Sequence, residues 1–194
     1  MGKAEQLDEI KSLCEKCFEC DLAQTRNKVV FSDGNSEAKI VLIGEAPGAN
    51  EDETGKPFVG RAGKLLDELF LSQNLTRERD IYICNTVKCR PPENRLPTNF
   101  EKAQCRKYLD SQLEILKPKL ILLCGATAMK SFLGNKVKIS QIRGQWLEHS
   151  SGARLMVIFH PSYLLRNPSV KEGSPKWLML QDIAEIKRVY EGLL

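Results

Sequence analysis

The 194-residue sequence contains no apolar run approaching the length of a bilayer span, which excludes a transmembrane helix. The segment Met1-Gly2-Lys3-Ala4-Glu5 lacks the apolar stretch of a signal peptide, and Gln6 stands where a myristoylation signal calls for Ser or Thr. No internal repeat, low-complexity tract or domain linker interrupts the chain. Its length suits one α/β domain covering 1–194. Neither sign of charge dominates. A formal net charge of +4 permits a nucleic-acid partner without requiring one, because a local basic patch matters more than the total. Histidine is scarce: His149 and His160 are the only two, so imidazole chemistry is confined to two positions. These absences predict a cytoplasmic, monomeric protein with no membrane association.

Cysteine, in contrast, is plentiful for such a chain. Seven are present, an odd number without a secretion signal, which argues against a disulfide framework and for metal or cluster ligation. Cys17 and Cys20 supply two ligands on one local turn. Cys89 and Cys105 flank a proline-rich loop and the start of the following helix. Four thiolates suit a [4Fe–4S] cluster, and an all-thiolate structural zinc site needs the same number; spacing alone does not choose between them. Cys14 forms a second CxxC with Cys17 and leaves the local pair ambiguous. Cys84 and Cys124 fall in apolar runs and read as core.

Four nearly continuous apolar runs, 40–43, 81–84, 120–124 and 155–159, read as strands covered on both faces. Helical periodicity separates them: Leu65, Leu66, Leu69 and Phe70; then Leu109, Leu113 and Leu116; then 126–133; and a last helix after Pro175. The alternation predicts an α/β fold, a three-layer αβα sandwich around a central, mostly parallel four-stranded sheet. In such a sheet the strand ends share one rim. Gly44-Glu45-Ala46-Pro47, Asn85-Thr86, Gly125-Ala126-Thr127 and His160-Pro161-Ser162 therefore converge.

Segment 44–63, GEAPGANEDETGKPFVGRAG, carries five glycines, two prolines, four carboxylates and one aromatic, Phe58, at the mouth of the first strand. That is the place where open α/β sheets bind ligands. A Walker phosphate loop is excluded, because Pro57 follows Gly55-Lys56 and the acidic run Glu51-Asp52-Glu53 would repel a triphosphate. The second informative segment is HPSYLLRN. His160 could donate to developing negative charge, Ser162 and neighbouring amides could hold a phosphate, and Leu164 with Leu165 would sit at the rim for insertion into a base stack. Asn85 presents an amide able to pair a donor and an acceptor on a base edge.

These strings together resemble the family 4, iron–sulfur uracil-DNA glycosylases: GEAPG-x2-ED-x2-GKPFVGRAGKLLD, CNTVKCRPPENRLPT and HPSYLLRNP, in that order, with the resemblance running from Cys17 to about residue 190. The resemblance implies a [4Fe–4S] cluster on Cys17, Cys20, Cys89 and Cys105, with Cys14 outside the ligand pattern. It implies uracil-containing DNA, single- or double-stranded, as partner and a monofunctional glycosylase as activity. It further implies that Phe58 stacks on the flipped base, Asn85 reads its polar edge and His160 stabilises charge on uracil O2. Glu45 and Ala46 would line the sugar side, and Glu51 would close the pocket near uracil C5 or help organise water. A structural cluster would pin the loop bearing Lys88, Arg90 and Arg95 near the DNA backbone, and Arg143, Arg166 and Lys171 would extend that basic patch. One departure stands out. Many relatives carry an aspartate at the Ala46 position to orient the attacking water. A further branch uses a histidine in a basic insert, whereas Pro91-Pro92-Glu93-Asn94-Arg95 is short and has none, so covalent trapping of the sugar is not expected.

Overall fold

The computed structural model describes residues 1–193. In chain order it forms α1 (Lys3–Glu15), α2 (Leu22–Thr25), β1 (Asp33–Gly34), β2 (Ile40–Gly44), α3 (Ala49–Thr54), α4 (Arg61–Leu71), β3 (Ile81–Asn85), α5 (Asn99–Leu116), β4 (Leu120–Cys124), α6 (Ala126–Leu133), α7 (Ile139–Ile142), β5 (Trp146–Glu148), β6 (Arg154–Ile158), α8 (Pro161–Arg166) and α9 (Pro175–Glu191). The four apolar runs become β2, β3, β4 and β6, which pair in parallel as the centre of the sheet. The sheet has six strands rather than four, in the order β1-β3-β2-β4-β6-β5, because a short antiparallel strand is added at each edge. Neither edge strand carries an apolar run. β1 is the dipeptide Asp33-Gly34, and β5 exposes Glu148. Their pairing is set by tertiary position, not by local pattern.

Side chains alternate across the sheet, and each face has its own core. On one side Ile40, Leu42, Ile83, Leu122 and Ile158 pack against Leu66 and Phe70 of α4 and against Met179, Ile183 and Ile186 of α9. On the other, Val41, Ile43, Leu123 and Val157 meet Leu7 of α1, Leu109 and Leu116 of α5 and Met129 of α6. The runs are apolar at every position because both faces are covered, so the αβα sandwich holds. Cys84 and Cys124 lie fully inside these cores. Among the described residues no helix is long and apolar enough to cross a membrane.

Helix boundaries follow local chemistry. Thr98 caps α5 by accepting from the Glu101 amide, and Glu101 returns a carboxylate to the Thr98 amide at 2.7 Å. Ser174 caps α9, with Pro175 at the first helical position. His160 itself caps α8, its side chain accepting from the Ser162 amide. The residue just past β6 is thereby fixed in orientation by the helix it starts.

Candidate active site

The parallel register aligns Gly44 with Asn85 and Cys124 with Ile158, so the carboxyl ends of β2, β3, β4 and β6 do share a rim. There a cavity of about 580 Å³ brings together Glu45, Ala46, Glu51, Phe58, Asn85, His160 and Ser162. A cleft of similar size, about 600 Å³, lies between α5 and the 149–152 turn. Its lining holds no buried polar atom left unpaired and no residue of the three motif strings.

Asn85 is the decisive wall. It is 1% exposed, and its Oδ1 is buried without a hydrogen-bond partner, the one such side-chain atom among the described residues. An orphaned buried acceptor costs on the order of 1–3 kcal/mol unless a ligand satisfies it. Gly44 stands opposite it across the paired strands. A Cβ there would lie 2.6 Å from the Phe58 ring and overlap Asn85 Oδ1, so only glycine leaves room beneath the pocket.

Phe58 is held in the left-handed region at φ 54°, a conformation non-glycine residues rarely adopt. Two clamps maintain it. Arg77 Nη1 donates to the Pro57 carbonyl at 2.8 Å and Nη2 to the Phe58 carbonyl at 2.6 Å, with Asp67 and Asp33 anchoring the guanidinium. On the other side the Glu51 carboxylate accepts from the amides of Gly48 (3.1 Å), Val59 (2.9 Å) and Gly60 (2.8 Å). Glu51 lines the cavity, but three backbone donors occupy its oxygens. Its geometry is that of a loop clamp at the cavity wall. Asp52 does the same at the loop's outer side, accepting from Asn27 and Lys28.

His160 faces Phe58 with ring centroids 5.7 Å apart. Its Nδ1 accepts from the Ser162 amide at 3.2 Å and pairs with the Ser162 hydroxyl at 2.8 Å. Because the amide must donate, the neutral ring carries its proton on Nε2. Burial, with a further push from Arg166, lowers the His160 pKa to about 4, and Glu51 opposes this weakly. The ring is therefore neutral at physiological pH. Ser162 buttresses His160 and lies at the cavity wall.

Glu45 and Ala46 are half-buried at the opening. The Glu45 carbonyl accepts from Thr86 Oγ1 at 2.6 Å, and one oxygen of its carboxylate accepts from Thr127 Oγ1. The sequence places Thr127 at the rim, in the strand end Gly125-Ala126-Thr127, but gives it no role; Arg77 sits in a polar turn and carries no motif signal.

A family model described as the uracil DNA glycosylase superfamily matches residues 31–184. The chain is 47% identical to the Type-4 uracil-DNA glycosylase of Thermotoga maritima over 96% of both chains. It is 42% identical to the Type-4 uracil-DNA glycosylase of Archaeoglobus fulgidus over 87% of each. It is 30% identical to the Type-5 uracil-DNA glycosylase of Pyrobaculum aerophilum, over 80% of this chain and 72% of that one. The chain belongs to the uracil-DNA glycosylase superfamily, in its type-4 branch.

Around the pocket of this type-4 glycosylase the expected DNA-contacting residues divide. Arg166 is exposed at the end of α8. Arg95 is exposed as well; it donates to Glu101 through two hydrogen bonds of 2.6 and 2.9 Å and holds the Glu101 carboxyl down to about 2. Arg143 is likewise paired with Asp182. Lys88 is completely buried and cannot face a DNA backbone. Leu164 is also in the core, at 0% exposure, against α4 and α9. The exposed apolar side chains of the turn are Tyr163 and Leu165, each 38% exposed.

The cysteines gather beyond the β3 end. Cys14, Cys17, Cys20, Cys89 and Cys105 line one small cavity of this glycosylase together with Arg26 and Lys88. Arg26 Nη1 donates to Cys89 Sγ at 3.3 Å, and the Lys88 amide donates to Cys105 Sγ at 3.3 Å. Burial pushes the thiols of Cys20 and Cys89 up and that of Cys105 to about 11, while Lys88 favours the Cys105 thiolate. Among the described residues no three Cys, His, Asp or Glu converge as ligands of one ion. Five thiols around one cavity, with N–H groups donating to two of the sulfurs, form a donor set of the kind that thiolate-bound metal centres use.

Proposed function

We propose that this protein hydrolyses the N-glycosidic bond of uracil flipped out of single- or double-stranded DNA, releasing uracil and leaving an abasic site. It would act as a single-domain monomer. The observation that carries the reading is the unpartnered, buried Asn85 Oδ1 at the wall of the rim cavity. Uracil N3–H would satisfy that oxygen, and the amide nitrogen would donate to O4. Cytosine offers the reversed pattern and would leave buried groups mismatched. A base in a duplex cannot reach such a pocket and must be extruded. Phe58, fixed from both sides, gives a rigid stacking wall, and a rigid pocket does not yield to the C5 methyl of thymine.

Bond breaking leaves negative charge on the uracil and positive charge on the sugar. The His160 Nε2–H is preorganised to donate to uracil O2. A neutral donor suits this task, since it adds no charge that must first be desolvated. Ala46 carries no carboxylate, and Glu51 is taken up by backbone amides. Glu45 is then the group that holds the attacking water, with Thr127 fixing one carboxylate oxygen and leaving the other for the water. Cys17, Cys20, Cys89 and Cys105 would hold a [4Fe–4S] cluster, with Cys14 as a buried neighbour. The cluster would supply cross-linking of the 17–26 and 88–105 segments, not redox chemistry. Arg166, Ser162, Tyr163 and Leu165 form the DNA-facing edge.

The test is an assay on oligonucleotides bearing U·G, U·A, single-stranded U and T·G, each treated with alkali after incubation. Strand breaks at uracil and none at thymine are expected, with free uracil released in equal amount. Binding of uracil-containing DNA without any break would make the protein a non-catalytic module instead. Iron and acid-labile sulfide in a ratio of four to four per chain are expected for the cluster; one zinc per chain would contradict it.

A further inference from the structure

Lys88 is the largest side chain that this protein buries completely. Its ammonium is held by neutral groups: the Asn85 carbonyl at 2.9 Å, Gln112 Oε1 at 2.5 Å and the face of Phe31 at 5.7 Å. A buried cation among neutral acceptors is costly and is retained where it does something that an apolar side chain cannot. Lys88 is also part of the cysteine cavity, where its amide donates to Cys105 Sγ. One residue thus touches two places at once. Its backbone is anchored at the thiolate site, and its side chain reaches back three residues to the peptide of the base-reading asparagine.

The intervening chain is fixed at every step. The Thr86 and Val87 amides donate to the carbonyls of Gly44 and Glu45, and the Lys88 carbonyl accepts from Val30. The Thr86 N–H shares one planar peptide with the Asn85 carbonyl, so Gly44 holds one side of that peptide where β3 ends. The Lys88 ammonium holds the other side, and the direction of the Asn85 side chain follows from the peptide so fixed. We propose that Lys88 is a positioning residue for base reading, a strut through which the cysteine site sets where the Asn85 amide stands in the pocket. This rests on the uracil reading of the pocket above. It gives a cluster without redox work a direct bearing on recognition.

The experiment uses purified, cluster-loaded protein and three variants: Lys88→Met, Lys88→Gln and Gln112→Leu. Lys88→Met keeps the stem and removes the donors. Lys88→Gln stays polar but is too short to reach both acceptors, and it guards against a Met variant that does not fold. Gln112→Leu disturbs the same buried network yet leaves the bond from Lys88 to the Asn85 carbonyl. Three quantities are read: inhibition by free uracil, affinity for DNA carrying a stable abasic analogue, and iron content. With iron retained, both Lys88 variants should bind uracil about tenfold more weakly, the scale expected when an outer-shell support is lost. Abasic DNA should bind as before. Adding Lys88→Met to Asn85→Ala should cause no further loss. Gln112→Leu should lower Tm without changing uracil inhibition. Unchanged uracil inhibition in iron-loaded Lys88→Gln, losses that multiply in the double variant, or an equal loss in Gln112→Leu would each overturn the proposal. If wild-type protein itself neither excises nor binds uracil, the pocket reading fails first, and the two failures are distinguished.

Discussion

At the residue scale the central feature is a pocket built from groups whose hydrogen-bonding capacity is deliberately incomplete. Asn85 Oδ1 has no partner, and His160 uses Nδ1 internally while keeping Nε2–H for the cavity. The His160 pKa near 4 carries two consequences. Activity that needs the neutral ring should persist below pH 6 and fall only as pH approaches about 4. Arg166→Gln removes a positive charge that disfavours protonation, so the acidic limb of the kcat profile should move upward in that variant; a limb that stays put contradicts the assignment. For stability the sign is the same. The unfolded chain protonates this imidazole near 6.5 and the folded one near 4, so stability is lost as pH falls between those values, by about 3 kcal/mol in the limit. The carboxylates are separated by single-turnover kinetics. Glu45→Gln should slow cleavage by roughly 10²-fold, the ordinary contribution of a group that handles the water. Glu51→Gln should act mainly through loop order and KM. Equal slowing of kcat by both, with no change in KM, would return Glu51 to the chemistry. Composition and spacing alone do not separate the four carboxylates of the 44–63 segment. Only their backbone partners distinguish Glu51 and Asp52, which tie the loop down, from Glu45, which faces the opening.

At the scale of elements, the four inner strands and the rim they share were legible because burial on both faces leaves an unbroken apolar run. The edge strands β1 and β5 were not, because two or three half-exposed residues have no pattern to read. The turn after β6 shows the same limit. HPSYLLRN announces a functional turn, but which leucine points outward depends on how α8 packs, and packing puts Leu164 inside and Leu165 outside. The partnership of Arg95 with Glu101 is likewise invisible until α5 is in place. The loop bearing Phe58 is the element whose order matters most for catalysis. Arg77→Met would release two carbonyls and leave Asp67 and Asp33 without their partner. A loss of about 2–4 kcal/mol in unfolding free energy is expected, since an almost buried arginine supports the loop from one side. Faster amide exchange at 57–60 should accompany it, with kcat falling while DNA affinity is kept. Normal exchange in that loop would show that Glu51 alone suffices to hold Phe58.

At the scale of the whole molecule, two large cores flank the sheet, and the cysteine loops rest on a small satellite of Leu22, Val87 and Cys89. The sheet should therefore outlast the cluster. Removing iron with a chelator is expected to open segments 14–30 and 88–98 to limited proteolysis while far-UV circular dichroism changes little. Global unfolding on iron removal would show that the satellite and the sheet form one cooperative unit. The family, the four inner strands of the sheet and the order of motifs were all readable from the chain. The unpaired Asn85 oxygen was not, because a vacant acceptor exists only once every neighbour is in place. That oxygen is also where the account is most exposed. The most direct measurement is the single-turnover rate of uracil release from a single-stranded oligonucleotide by Asn85→Ala against wild type, at saturating protein. The account predicts a fall of roughly 10²- to 10³-fold, as for loss of a preorganised transition-state donor, with affinity for abasic DNA unchanged. A rate within twofold of wild type would contradict it.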